Sequence, residues 1–134
     1  MAQITTTRNS YFSDLDLNFN IHPVRKDIVK HRGDMAILNS VKNLVLLNFY
    51  EKPFHPEIGS NIRKLLFENL DSITAIALGN QIKQVIDNFE PRIELVSVSV
   101  DPDYDNNGFR VSITFNLINS TVPMQVEFFL ERLR

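Results

Sequence analysis

The chain contains no cysteine and no tryptophan, and only 4 glycines and 3 histidines in 134 residues. Without thiols it forms no disulfide and offers no thiolate to zinc or to a substrate, a composition that fits a reducing compartment such as the cytosol. Gly33, Gly59, Gly79 and Gly108 never cluster, so no phosphate-cradling loop can be assembled. His22, His31 and His55 show no helical ligand spacing and complete no metal motif with an acid. Charge of one sign is lacking too: 14 Lys and Arg stand against 16 Asp and Glu, net −2. That balance gives no general pull toward nucleic acid or an anionic membrane. The densest aliphatic run, residues 44–47, is far too short to span a bilayer. Residues 1–10 are polar, lack the apolar stretch of a secretory signal, and are expected to be a flexible arm.

What is present is apolar and patterned. Hydrophobic residues make up 43% of the chain, with 10 Phe, enough for a core in one domain over residues 11–134. Residues 11–19 alternate, with Leu15, Leu17 and Phe19 on one face, which predicts a core-facing strand ended by His22-Pro23. Residues 25–32 read as a polar, mostly basic stretch. Asp34 is expected to cap a helix over 35–48 that buries Ile37, Val41, Leu44, Val45 and Leu47. Pro53, Pro56 and Gly59 mark a structured loop, with Phe54 and Ile58 expected as its anchors. Ser60 or Asn61 opens a short helix with Leu65, Leu66 and Phe67 inside. Asp71 or Ser72 opens a third, carrying Ile73, Ile76, Ala77, Ile82, Val85, Ile86 and Phe89 and stopped by Pro91.

Three strands follow. In the first, Ile93 and Leu95 share one phase while Val96, Val98 and Val100 share the other, a switch that predicts a β-bulge. Asn107-Gly108 is a turn pair. Phe109, Val111, Ile113, Phe115 and Leu117 alternate through the second strand, and Met124, Val126, Phe128 and Leu130 through the third. The expected fold is α+β: a small, mostly antiparallel sheet made of the N-terminal strand and a C-terminal three-stranded meander, with about three helices packed on one face.

Candidate chemistry is sparse. Asp101, Asp103 and Asp105 alternate like the start of a calcium loop, but position six is Asn106 and position twelve Ser112, so an acidic turn is the better reading. Glu68 and Glu90 lie near helix ends and could be proposed as a glycosidase pair, yet any chain with 16 acids offers such a pair. Arg25, Lys26, Lys30 and Arg32 could meet an acidic partner or phosphate; without interleaved aromatics they make no nucleic-acid platform. No catalytic, cofactor-binding or metal-ligating residue is assigned.

Three segments together resemble a known family. Residues 13–19 read SDLDLNF, residues 36–61 read AILNSVKNLVLLNFYEKPFHPEIGSN with LLFEN at 65–69, and residues 89–93 read FEPRI. In order and spacing they resemble the baseplate wedge family of contractile-tailed phages, which includes the baseplate component of type VI secretion systems often called lysozyme-like. The resemblance covers the chain from about residue 11. Its most specific part is the Glu-Pro-Arg triplet at a helix end; the Pro-Phe-x-Pro-x-x-Gly loop at 53–59 is next. Members commonly carry Gly-Glu-Arg before that loop, where this chain has Tyr50-Glu51-Lys52.

The resemblance implies a virion structural protein of the phage tail baseplate, assembled in the host cytoplasm. Such a subunit links wedge proteins to the tube and hub and starts sheath assembly, without cofactor, nucleic acid or membrane. By the family's pattern, Glu90, Pro91 and Arg92 dock on a helical bundle of neighbouring wedge proteins from a helix end, where side chains can project outward. The C-terminal strands, at 109–117 and 124–132, pair with arms of sheath subunits. Phe128 and Phe129 lie on opposite faces of the last strand, so one of them calls for cover from outside the sheet. The alternatives are a peptidoglycan-cleaving, lysozyme-like enzyme and a stand-alone protein-binding regulator.

Overall fold

A computed structural model describes residues 13–16, 18–118 and 120–133. The proposed arm at 1–10, the start of the predicted strand at 11–12 and the expected core position Leu17 lie outside them. The chain divides into two compact units between Ser40 and Val41.

In the first unit, β1 (Ser13–Leu15) pairs antiparallel with β2 (Lys30–Arg32). The predicted N-terminal strand is therefore shorter than 11–19, and its partner lies in the stretch read as merely polar. The predicted facing is also reversed where it can be seen. Leu15 and Phe19 are exposed, while Asp16 is buried. The reason is local hydrogen bonding. The Asp16 carboxylate accepts from the Asn18 backbone N–H (3.0 Å) and the Asn20 amide (2.6 Å), and lies 3.5 Å from His31 Nε2. Those contacts, the Asn18 N–H first, hold its carboxyl below the usual range. Residues 20–29 fold back as a hairpin-like loop, with His22 N–H donating to Asp27 O and Val29 N–H to Asn20 O.

The helix α1 (Asp34–Leu46) begins after Gly33, whose φ of 62° suits glycine. Asp34 is its first residue rather than its cap, so it acts on the helix terminus by charge. Ala36, Ile37, Val41 and Val45 are buried, the helical spacing read from the sequence.

In the second unit, Asn61 is the N-cap of the single turn α2 (Ile62–Leu65), with no side-chain cap bond, and is preceded by Ser60. The buried Ser60 hydroxyl donates toward Val45 O (3.1 Å) and Leu47 O (3.2 Å) and accepts from Ile62 N–H (3.4 Å). Leu66 is buried there, but Phe67, expected inside, is exposed. Asp71 caps α3 (Ser72–Phe89), accepting from Thr74 N–H at 2.7 Å. The buried stripe of α3 is Thr74, Ala75, Leu78, Ile82, Val85 and Ile86. Ile73 and Ile76, predicted inside, are 79% and 66% exposed. Helical geometry explains the correction: with Leu78 and Ile82 inward, positions two and five residues before Leu78 point well away from that face.

A three-stranded antiparallel sheet of order β3-β4-β5 completes the unit, with β3 at Ile93–Asp103, β4 at Gly108–Leu117 and β5 at Pro123–Glu131. The N-terminal strand does not join it. The predicted bulge is present: the β3–β4 register shifts between Leu95 and Ser97. Val96 is the inserted residue and is exposed. On β4, Phe109, Val111, Ile113 and Phe115 are buried, and α3 packs along β3. Beyond β5, Leu133 N–H donates to Leu66 O and Arg132 Nε to Glu68 O, tying the chain end to the α2 region. Among the described residues no helix is long and apolar enough to cross a membrane.

Candidate functional site

The junction between α3 and β3 holds the Glu-Pro-Arg triplet. Pro91 cannot continue the helix and restricts the residue before it, so Glu90 leaves helical geometry at φ −122°, ψ 82°. Its backbone N–H still closes the last turn onto Ile86 O at 2.9 Å. That geometry turns the Glu90 side chain inward, where only 3% of it stays exposed, and Arg92 meets it with a planar fork. Arg92 Nε lies 2.6 Å from Oε1 and Nη2 lies 2.8 Å from Oε2. Two parallel charge-assisted bonds fix the guanidinium plane in a way a lysine could not reproduce. Glu90 thus does not project outward; Pro91 is exposed and Arg92 is partly so. The triplet is one rigid element in which the carboxylate positions the arginine.

That arrangement also bears on Glu90 as a catalytic acid. A carboxylic acid that donates its proton to a leaving group sits in an apolar pocket. Glu90 has both oxygens turned to a guanidinium, and Glu68 is exposed. Asp103 is likewise engaged, accepting from Asn106 and from Arg110 Nη2 at 3.1 Å. Among the described residues no cluster of three or more His, Asp or Glu could hold a metal.

The last strand is the second candidate surface. β5 is an edge of its sheet. Phe128, opposite Val111, is half-buried on the inner face, and Phe129, opposite Arg110, is on the outer face. Phe129 finds cover within the chain: a Cβ built on Gly108 would meet its ring at 2.3 Å, so the ring lies over the glycine. Phe129 remains 43% exposed. The structure does not bring this strand and the triplet into one site.

A third feature was missed in the sequence. Loop 49–59 was expected to anchor itself by Phe54, yet Phe54 is 97% exposed, and Ile58 alone of the two is half-buried. Tyr50, Phe54 and Asn107 hold positive φ, 68° at Tyr50 and 65° at Phe54. The turn that a glycine would make is kept with a tyrosine in it. The departure from Gly-Glu-Arg at Tyr50 was the available signal, since a glycine position is a candidate for positive φ.

Comparison with known proteins settles the family. The model of the baseplate wedge protein gp25 family matches residues 31–121. The baseplate wedge protein gp25 of Enterobacteria phage T4 is 32% identical over 112 residues, 84% of each chain. The chain belongs to the baseplate wedge protein gp25 family. Solved structures share its fold. A chain of the anti-feeding prophage baseplate superposes with TM-score 0.71 at 22% identity, over 83% of this chain and 89% of that one. A protein of Geobacter sulfurreducens described as a candidate tail lysozyme gives 0.70 at 20%, over 75% and 92%. A chain of the postcontracted pyocin R2 baseplate gives 0.56 at 17%, over 89% and 99%. The gp25-family match spans both the triplet and loop 49–59.

Proposed function

We propose that this gp25-family chain is a structural subunit of a contractile-tail baseplate in the virion, assembled in the host cytoplasm. In this reading it links neighbouring wedge proteins to the tube and hub, initiates the sheath, and catalyses nothing. The observation that carries the reading is the similarity to the phage T4 wedge protein along most of both chains. The triplet supports it physically. Glu90, Pro91 and Arg92 form a stiff junction in which the fork is already oriented, so docking on a helical bundle loses little further entropy. The β5 edge, with Phe128 and Phe129, can accept an extended arm of a sheath subunit by strand addition.

The test is co-expression with the wedge proteins encoded beside it. Arg92→Lys is the informative variant, because it keeps the charge beside Glu90 and removes the fork. Wild type is expected to carry a stable complex and folded Arg92→Lys to lose it. Equal complexes from both would remove the triplet from the interface. The lysozyme-like reading has one observation behind it, the fold shared with the Geobacter protein. Hydrolysis of peptidoglycan by the purified chain, abolished in Glu68→Gln or Glu90→Gln, would replace the structural reading with it.

A further inference from the structure

The side of loop 49–59 facing α2 forms an open groove lined by Phe49, Tyr50, Pro56, Phe67, Arg63 and Lys64 among others. We infer that this groove docks an acidic segment of another protein, whose apolar side chain sits among the rings and whose flanking carboxylates meet Arg63 and Lys64.

Three observations carry the inference. The first is Tyr50. A non-glycine residue at φ 68° is held in a region that costs L-residues energy, and the ring is 85% exposed, so burial within the chain does not offset the strain. Phe67, which also lines the groove, is 58% exposed. Two aromatic rings left in water along one groove offer the apolar centre from which interfaces gain most.

The second is rigidity. Tyr50 N–H donates to Pro56 O at 3.0 Å, and the Glu51 carboxylate accepts from Asn48 N–H (2.9 Å) and Nδ2 (2.8 Å). Gly59 passes so close to Asn48 that a Cβ would lie 2.5 Å from its carbonyl carbon. The groove is preformed, and occupation does not have to order it.

The third is charge. The acids near the groove are engaged internally: Glu57 with His55 at 3.1 Å, Glu51 with Asn48. Arg63 is 63% exposed and only 3.8 Å from Glu51, and Lys64 makes no ion pair among the described residues. Of the groove's own lining, Arg63 and Lys64 are cationic and Glu57 is anionic, which leaves a surplus of one positive charge and favours carboxylates. Two cations on a chain of net charge −2 are too few for a phosphate backbone, so a peptide fits better than a nucleic acid.

The inference stands on the groove and does not need the baseplate reading. The isolated protein would be titrated into a fluorescent peptide carrying a leucine–phenylalanine pair flanked by glutamates, with a lysine-flanked peptide and a short single-stranded oligonucleotide as comparisons. Saturable binding of the glutamate peptide alone is expected. It should weaken roughly tenfold or more in Tyr50→Gly and in the double variant Arg63→Glu with Lys64→Glu. Unchanged thermal midpoints would show that both variants remain folded. Absence of saturable binding, equal binding of the lysine peptide, preference for the oligonucleotide, or full binding by folded Tyr50→Gly would each overturn it. Loss of wedge co-purification would leave this titration unaffected, so the two readings fail separately.

Discussion

The α3–β3 junction and loop 49–59 lie in the same unit and meet their constraints in opposite ways. At the junction the polar groups are satisfied internally: a buried carboxylate and a guanidinium fork close on each other across Pro91. In the loop the polar groups are also satisfied, but the apolar ones are not. Phe54 and Tyr50 stand in solvent on a backbone that disfavours them. A junction of the first kind is stiff because breaking it orphans a charge. A loop of the second kind is stiff because hydrogen bonds and one glycine leave the chain no other path, and its exposed rings contribute little to folding. Side-chain changes should therefore damage the junction, and backbone changes the loop.

The largest expected effect is Gly59→Ala. The added Cβ would meet Asn48 and Phe49 backbone atoms at 2.5–2.6 Å, and φ is 154°, so relief requires the loop itself to move. A loss of about 3–5 kcal/mol is expected in urea unfolding, from overpacking plus backbone strain. A loss below about 1 kcal/mol would mean that the loop is soft, contrary to the comparison.

Next is Glu90→Ala, which leaves Arg92 without its fork partner. Orphaning a buried charge is costly, and Arg92 is 23% exposed, so about 2–4 kcal/mol is expected. Adding Arg92→Met should recover part of that loss, since no buried charge is then left behind. Additive losses in the two single variants and the double would show that the pair is not coupled.

The other end of α3 gives a smaller, pH-dependent effect. The Thr74 backbone N–H, followed by its hydroxyl, lowers the Asp71 carboxyl below 3.8. The folded state therefore favours the ionised form. Its contribution is complete above the unfolded value and is lost as pH falls from there through the lowered folded value. Wild type should lose thermal stability across that acid window more steeply than Asp71→Ala. Parallel curves would remove the cap from the account.

Periodicity made much of this fold legible. The β3 bulge followed from a phase switch at Leu95 and Val96, and β4 and β5 from clean alternation. Residue chemistry narrowed the α3 cap to Asp71 or Ser72, and Asp71 takes it. The misses share a cause. At Asp16, short polar contacts to Asn18 and Asn20 outweighed the apolar alternation around it. On α3, Thr74, Ala75 and Leu78 set the buried stripe, and the larger Ile73 and Ile76 drew attention to the wrong phase. At the candidate site, the order Glu-Pro-Arg fixed the place of the junction but not the inward turn of Glu90, which depends on backbone angles after the helix. The exposure of Phe54 was unreadable for the same reason: a Pro-rich loop states that the chain turns, not which side its rings face.

The smallest expected effect has the opposite sign to all the others and tests the loop most directly. Tyr50→Asn keeps a residue that tolerates positive φ, removes a ring that is 85% exposed, and avoids the extra unfolded-state entropy of glycine. Nothing in the described loop packs so closely on the ring that its removal should open a cavity. A gain of about 0.5 kcal/mol is expected, seen as a higher urea midpoint at constant slope. Gly59→Ala, in the same loop, should move the midpoint the other way, so the pair separates backbone strain from side-chain packing. A loss of stability in Tyr50→Asn would mean that the ring does stabilise the fold, and the strain at position 50 would then need no binding partner to explain it.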